Sequence, residues 1–70
     1  MAKTDFGKRL RQIRKERGVS QSKLAKETGI QQQSVSYYEL GVNEPILSSL
    51  IRLADYFDDS LDELAGRVIK

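Results

Sequence analysis

The feature that most restricts the fold of this 70-residue chain is a turn of three residues between two predicted helices. Apolar residues recur at the period of a helix in segments 21–28 and 32–39, and residues 29–31 separate the two segments. Helices joined by so short a turn must cross at a steep angle. The turn then requires a residue that accepts a positive φ, and Gly29 supplies it. A small residue is also needed where the helices approach each other, and Ala25 meets this requirement.

The apolar residues of this unit are placed to hold the two helices together: Leu24, Ile30, Val35 and Tyr38. A small helical bundle of another kind would also contain such residues at helical spacing, so each of them alone is weak evidence. Their combination in register, with a helical segment on each side, predicts a helix-turn-helix over residues 21–40.

The spacing of apolar residues favours helices along the rest of the chain, and no segment alternates as a strand does. The first predicted helix ends at Gly18, has Thr4 or Asp5 at its start and is weakened in its first turn by Gly7. One stripe of this helix carries Phe6, Leu10, Ile13 and Arg17.

Two further helices complete an all-α domain of five helices over residues 1–70. The fourth is stopped by Asp58 and Asp59 and presents a wide core-facing stripe of Leu47, Leu50, Ile51, Leu53, Ala54 and Phe57. A capping box of Ser60 and Glu63 begins a short fifth helix over about residues 61–65.

The composition excludes most catalytic chemistry. The chain has no His and no Cys, which rules out most zinc sites, thiol nucleophiles and Ser-His-Asp triads. No carboxylate pair lies in a plausible cleft, so we expect neither an enzyme nor a cofactor or metal. The absence of cysteine fits a reducing cytoplasm. No signal peptide is expected, and no apolar run approaches the roughly 20 residues that span a membrane.

The net charge of +2 conceals an uneven distribution. Seven basic and two acidic residues give residues 1–17 a charge of +5, whereas three basic and six acidic residues give residues 40–70 a charge of −3. Segment 18–39 is neutral. The basic N-terminal part and the acidic C-terminal part make a small electrostatic dipole, although solvated helix faces would produce the same pattern.

The third predicted helix, about residues 32–39, separates into two faces on a helical wheel. Gln31, Val35 and Tyr38 cluster on one side with Glu39 at its edge, and the other side carries Gln32, Gln33, Ser36 and Tyr37. This outer face is uncharged, although Lys and Glu would serve solubility and helix formation better than Ser or Tyr. A Gln amide can donate to N7 and accept from N6 of adenine, and a tyrosine ring can contact a thymine methyl. The four residues are therefore predicted to contact base edges, with simple solvation as the alternative.

Phosphate contacts are expected at helix N-termini, where free backbone N–H groups favour an anion. Gln21 opens the second helix, Gln31 precedes the third, and Asn43 follows it in a loop. The cations of the first helix either approach the phosphates or face water: Lys8, Arg11 and Lys15.

The chain resembles the phage-repressor and Cro family of bacterial helix-turn-helix DNA-binding domains, also called the xenobiotic-response-element family. The matching stretches cover nearly the whole chain: residues 6–11, 17–21, 24–25, 29–30, 35–36, 38–39, Gly41, 44–45, 53–54 and 60–64. The resemblance implies a compact five-helix lambda-repressor-like domain whose third helix enters the major groove of double-stranded DNA. It also implies a cytoplasmic protein of a bacterium or phage that binds two-fold symmetric operators as a dimer, with half-sites about 34 Å apart.

The resemblance assigns roles to individual residues. Gln21 matches a phosphate-binding glutamine, and Arg14 with Glu39 matches an ion pair between the first and third helices. The run at 32–34 is similar to that of a lambdoid phage repressor that binds adenine-rich half-sites. The base-facing positions of the family fall on Gln32, Gln33, Ser36 and Tyr37.

Two apolar residues depart from the family pattern. Leu40 and Val42 occupy positions where polar or basic residues are common. The leading hypothesis is a sequence-specific transcriptional regulator that acts as a weak or DNA-assisted homodimer. We expect it to be a repressor. The alternative is a protein-interaction module that binds its partner through Leu40 and Val42. A dimer interface would use the fourth helix, the fifth helix or the tail with Val68 and Ile69.

Overall fold

The computed structural model describes residues 6–58, and this part of the chain forms four α-helices and no strand. The helices follow one another as α1 (Phe6–Glu16), α2 (Gln21–Thr28), α3 (Gln32–Leu40) and α4 (Leu47–Phe57). The predicted all-α class is confirmed. The predicted fifth helix at 61–65, its capping box and the N-terminal cap at Thr4 or Asp5 lie outside the described residues.

The short turn between α2 and α3 has the predicted conformation. Ser20 begins α2, and its Oγ accepts a hydrogen bond from the backbone N–H of Lys23 at 3.0 Å. Gly29 ends the helix at φ +75°, and its N–H donates to the Ala25 carbonyl at 2.9 Å. The N–H of Ile30 donates to the same carbonyl at 3.2 Å, so the chain reverses within three residues before α3 begins.

The hydrophobic core lies where α3 packs against α1 and α2, and α4 packs against α2. The Phe6 ring meets the Tyr38 ring edge to face at a centroid distance of 6.2 Å, which joins α1 to α3. The buried side chains come from all four helices and the turn: Phe6, Leu10, Ile13, Leu24, Ala25, Ile30, Val35, Tyr38, Leu53, Ala54 and Phe57.

The predicted stripe of α4 is only partly buried. Leu53, Ala54 and Phe57 belong to the core, whereas Leu47 and Ile51 are exposed, so the prediction was wrong for these two residues. The physical reason is that α4 packs on α2 along one side, and the wide apolar stripe extends beyond that contact.

Two residues near the helix ends also differ from the wheel predictions. Gln31 is exposed and does not share the buried side of α3, because it is the N-cap residue with an extended backbone at φ −63° and ψ 141°. Arg17 lies beyond the end of α1 and is exposed, and its guanidinium carbon is 5.6 Å from the centroid of the Phe57 ring. Arg17 therefore covers the core as a cation above an aromatic ring.

Gly7 is a packing position, which its interpretation as a weak point of the first turn missed. It is buried where the start of α1 meets the end of α3. A Cβ at this position would overlap the carbonyl oxygen of Tyr38 and lie 3.0 Å from that of Glu39. The two backbones approach this closely because residue 7 has no side chain.

We expect Gly7→Ala to lower the free energy of unfolding by about 1–3 kcal/mol, because α1 must move away from rigid backbone atoms of α3. Alanine favours helix by about 1 kcal/mol, so packing and helix propensity have opposite signs here. Urea unfolding followed by circular dichroism measures the change. Lys8→Ala, at an exposed position of α1, is the control that should remain close to the original protein. A Gly7→Ala protein of unchanged or higher stability would contradict the close approach.

Candidate nucleic-acid interface

The two predicted faces of α3 are present in the structure. Val35 and Tyr38 are buried, and the opposite face carries the four predicted base-contacting residues. Gln32 and Gln33 are exposed, whereas Ser36 and Tyr37 are half-buried. This outer face presents amide and hydroxyl groups without charge, so it offers both donors and acceptors of hydrogen bonds.

A side-chain hydrogen bond joins two residues of this outer face. Nε2 of Gln33 donates to the Oη of Tyr37 at 2.8 Å, across one turn of the helix. The amide therefore has a preferred orientation before any ligand binds.

The N-terminus of α3 is open. Its N-cap residue, Gln31, makes no side-chain capping hydrogen bond, in contrast to Ser20 at the start of α2. The first N–H groups of a helix have no partner within the helix, and together with the helix dipole they attract an anion. Both Gln31 and Gln32 are exposed at this end.

A partly buried ion pair connects α3 to α1. Nε of Arg14 donates to Oε2 of Glu39 at 2.6 Å, and a terminal nitrogen of the same guanidinium donates to Oε1 at 3.0 Å. The side chain of Arg14 is 11% exposed and that of Glu39 only 4%, so the pair is largely withdrawn from water. It is the ion pair that the family resemblance implies, and its two-point geometry fixes the orientation of the two helices.

The network extends to the loop and to α2. The other terminal nitrogen of Arg14 donates to the carbonyl of Val19 at 2.9 Å. Nε2 of Gln21 donates to Oε1 of Glu39 at 3.0 Å. The side chain that was predicted to hold a phosphate is thus anchored through one of its N–H groups. Within residues 6–58, the amide carbonyl of Gln21 accepts no hydrogen bond.

Hydrogen bonding to Glu39 raises the pKa of Arg14 above its ordinary value, and burial opposes this effect to a lesser degree. The guanidinium is therefore charged at every pH at which the protein would bind a ligand. Deprotonation of Arg14 therefore does not break the ion pair under these conditions.

A groove of about 240 Å³ runs beside this network on the same side as the outer face of α3. It brings one predicted phosphate-binding cation, Arg11, next to Gln21 and Ser36. Lys8 and Lys15 are exposed on α1 and do not line the groove. Asn43 is exposed in the loop after α3, with its backbone N–H 3.5 Å from the Tyr37 carbonyl.

Sequence reasoning missed three parts of this site. They are the hydrogen bond to the Val19 carbonyl, the hydrogen bond from Gln21 to Glu39, and the position of Leu40 in the wall of the groove. A backbone acceptor leaves no residue-type signal. The partners Gln21 and Glu39 are 18 positions apart, at a distance that helical periodicity does not connect.

The two apolar residues that depart from the family pattern are exposed. Leu40 at the end of α3 is 71% exposed and Val42 in the loop is 63% exposed. Together with Ile46, Leu47 and Ile51, they form the set of large exposed apolar residues within the described chain.

In the part of the chain that the structure describes, no group of acidic residues could hold a metal ion. None of the helices in this part of the chain could span a membrane.

Comparison with known proteins gives consistent matches. A family model described as helix-turn-helix matches residues 10–64. Over 84% of its length, the chain is 39% identical to the cryptic phage CTXphi transcriptional repressor RstR of Vibrio cholerae and 41% identical to the HTH-type transcriptional regulator AnsR of Bacillus subtilis. The aligned regions are 53% and 51% of those two proteins, so the chain spans about half the length of the curated relatives it matches.

A solved structure agrees in fold. The restriction-modification controller protein C.AhdI of Aeromonas hydrophila superimposes with a TM-score of 0.81 at 34% identity. The match covers 87% of this chain and 92% of that protein.

We expect Arg14→Met to lower the free energy of unfolding by about 2–4 kcal/mol, because the buried carboxylate of Glu39 loses its cation. Glu39→Met should have a similar effect on the guanidinium. The double Met variant should recover much of the loss, with a coupling energy of about 1–3 kcal/mol in the double-mutant cycle. Urea unfolding of the four proteins gives this number. Additive losses would show that the pair does not hold α1 and α3 together.

Proposed function

Since the chain belongs to the helix-turn-helix family, we propose that it is a sequence-specific DNA-binding transcriptional regulator that represses from a palindromic operator. Double-stranded DNA in the cytoplasm of a bacterium or phage-infected cell is its partner. The observation that carries the proposal is the neutral outer face of α3, on a helix that a partly buried ion pair joins to α1.

In this proposal α3 enters the major groove and its four outer residues contact base edges. The amides of Gln32 and Gln33 suit adenine, whose edge offers one acceptor and one donor. Ser36 can donate or accept, and the ring of Tyr37 can lie against a thymine methyl. Neutral side chains discriminate between bases, whereas cations mainly hold phosphates.

Phosphates lie on either side of the groove and meet residues of other elements. One phosphate enters the groove beside Arg11 and Gln21, where the second N–H of the Gln21 amide and the backbone N–H groups at the N-terminus of α2 can donate to it. A second binds the open N-terminus of α3 near Gln31, and a third binds Asn43. Lys8 adds a weaker contact through its charge.

A homodimer would place two copies of α3 in successive major grooves, about 34 Å apart. Exposed apolar side chains on and just before α4 support this part of the proposal: Ile46, Leu47 and Ile51. Three apolar side chains make only a small interface, so the dimer is weak and forms with the help of DNA.

A second candidate function rests on Leu40 and Val42. Both are exposed next to the proposed DNA-binding face, where phosphate contacts would favour polar residues. A protein partner that covers them would compete with DNA, as an antagonist of the regulator would.

Selection of bound sequences from random double-stranded oligonucleotides tests the main proposal. We expect enrichment of a palindrome whose half-sites contain adenine. Gln33→Ala should lower the preference for one base pair in each half-site by about 1–3 kcal/mol and leave the others unchanged. Gln12→Ala, on an exposed part of α1, is the control with the same change of residue type. Failure of the original protein to enrich any sequence at low salt would contradict the proposal.

A second experiment separates the two exposed apolar groups. We expect Leu47→Ser to convert cooperative binding of a palindrome into independent binding of half-sites, because an apolar contact between copies is lost. Leu40→Ser, an identical change on α3, should leave cooperativity intact. Gel shifts with whole and half operators measure both. Loss of cooperativity in the Leu40→Ser protein alone would move the dimer contact to the end of α3.

A further inference from the structure

We propose that Tyr37 acts through Gln33: its hydroxyl holds one amide N–H and so restricts what the glutamine can recognise in the major groove. This assignment deepens the proposed function and rests on it. Tyr37 is then a positioning residue for base recognition, in addition to any contact of its ring with DNA.

The structure shows which of the two side chains is anchored. Tyr37 is half-buried, and Gln33 is exposed. The Tyr37 carbonyl accepts the N–H of Val42 at 3.0 Å where α3 ends, so the backbone that carries the ring is fixed. The amide of Gln33 is the more mobile partner, and its bond of 2.8 Å to the Tyr37 hydroxyl limits its rotation.

The remaining hydrogen-bonding groups of Gln33 match one base. A glutamine amide has two N–H groups and a carbonyl oxygen. With one N–H on Tyr37, one N–H and the carbonyl remain. Adenine presents one acceptor, N7, and one donor, N6–H, so both of its groups are satisfied.

Guanine does not match the same arrangement. Its major-groove edge presents two acceptors, N7 and O6, and the carbonyl of Gln33 would face one of them without a proton between. Tyr37 prevents the second N–H from turning toward that acceptor. The hydroxyl therefore increases discrimination against guanine, while the glutamine itself provides the contact.

The orientation also favours binding. A glutamine that is already restricted loses less rotamer freedom when it meets its base than a free one does. This gain in affinity is expected only at the base pair that Gln33 contacts.

The test removes the hydroxyl and keeps the ring. We expect Tyr37→Phe to lower the preference for adenine over guanine roughly tenfold at the base pair that Gln33→Ala also affects. In the Gln33→Ala background, Tyr37→Phe should cause no further change at that base pair. Tyr56→Phe, the same substitution on α4, is the control. Competition binding with operators that differ at one base pair gives the ratios, and thermal unfolding shows whether each variant is folded.

Three results overturn the assignment. An unchanged ratio in Tyr37→Phe shows that the hydroxyl does not restrict Gln33. A change confined to a different base pair shows that the Tyr37 hydroxyl contacts DNA by itself and does not restrict Gln33. If the original protein selects no DNA sequence, the proposed function fails and the assignment fails with it, whereas the first two results leave the function standing.

Discussion

The arrangement of the proposed DNA-binding surface depends on the buried carboxylate of Glu39. Arg14 binds it from α1 through two nitrogens, and Gln21 binds it from α2. Arg14 also holds the carbonyl of Val19 in the loop between these helices. One side chain of α3 thus receives hydrogen bonds from both preceding helices. Because hydrogen bonds are directional whereas apolar packing is not, the network restricts the angle of α3 more tightly than the core alone.

Apolar packing supplies most of the stability. The close approach at Gly7 determines how α1 packs on α3. The start of α1 rests directly on the backbone at the end of α3, so Phe6 reaches the ring of Tyr38. The Glu39 network holds the same end of α3 from Arg14, which lies about two turns further along α1. Packing and hydrogen bonding thus both hold the last turn of α3 against α1, and the outer face of α3 is preorganised for a rigid partner.

Local signals predicted most of this fold, and long-range contacts account for what they missed. The left-handed turn at Gly29 depends on neighbouring residues, which a sequence displays directly. The exposure of Leu47 depends on how far α2 extends along α4, and the role of Gly7 depends on a backbone more than thirty residues away. Gln31 was misplaced because a helical wheel does not apply to an N-cap residue. In the candidate site, the two faces of α3 follow from periodicity, whereas the bond from Gln21 to Glu39 has no local signal.

The outer face of α3 has a consequence for how such a protein changes over generations. Gln32 and Gln33 are exposed and belong neither to the core nor to the Glu39 network. Substitutions there alter the chemistry offered to a partner at little expense in folding free energy, since surface changes usually lie within about 0.5 kcal/mol. A small domain with a narrow margin of stability can therefore acquire a new target without first acquiring compensating mutations elsewhere.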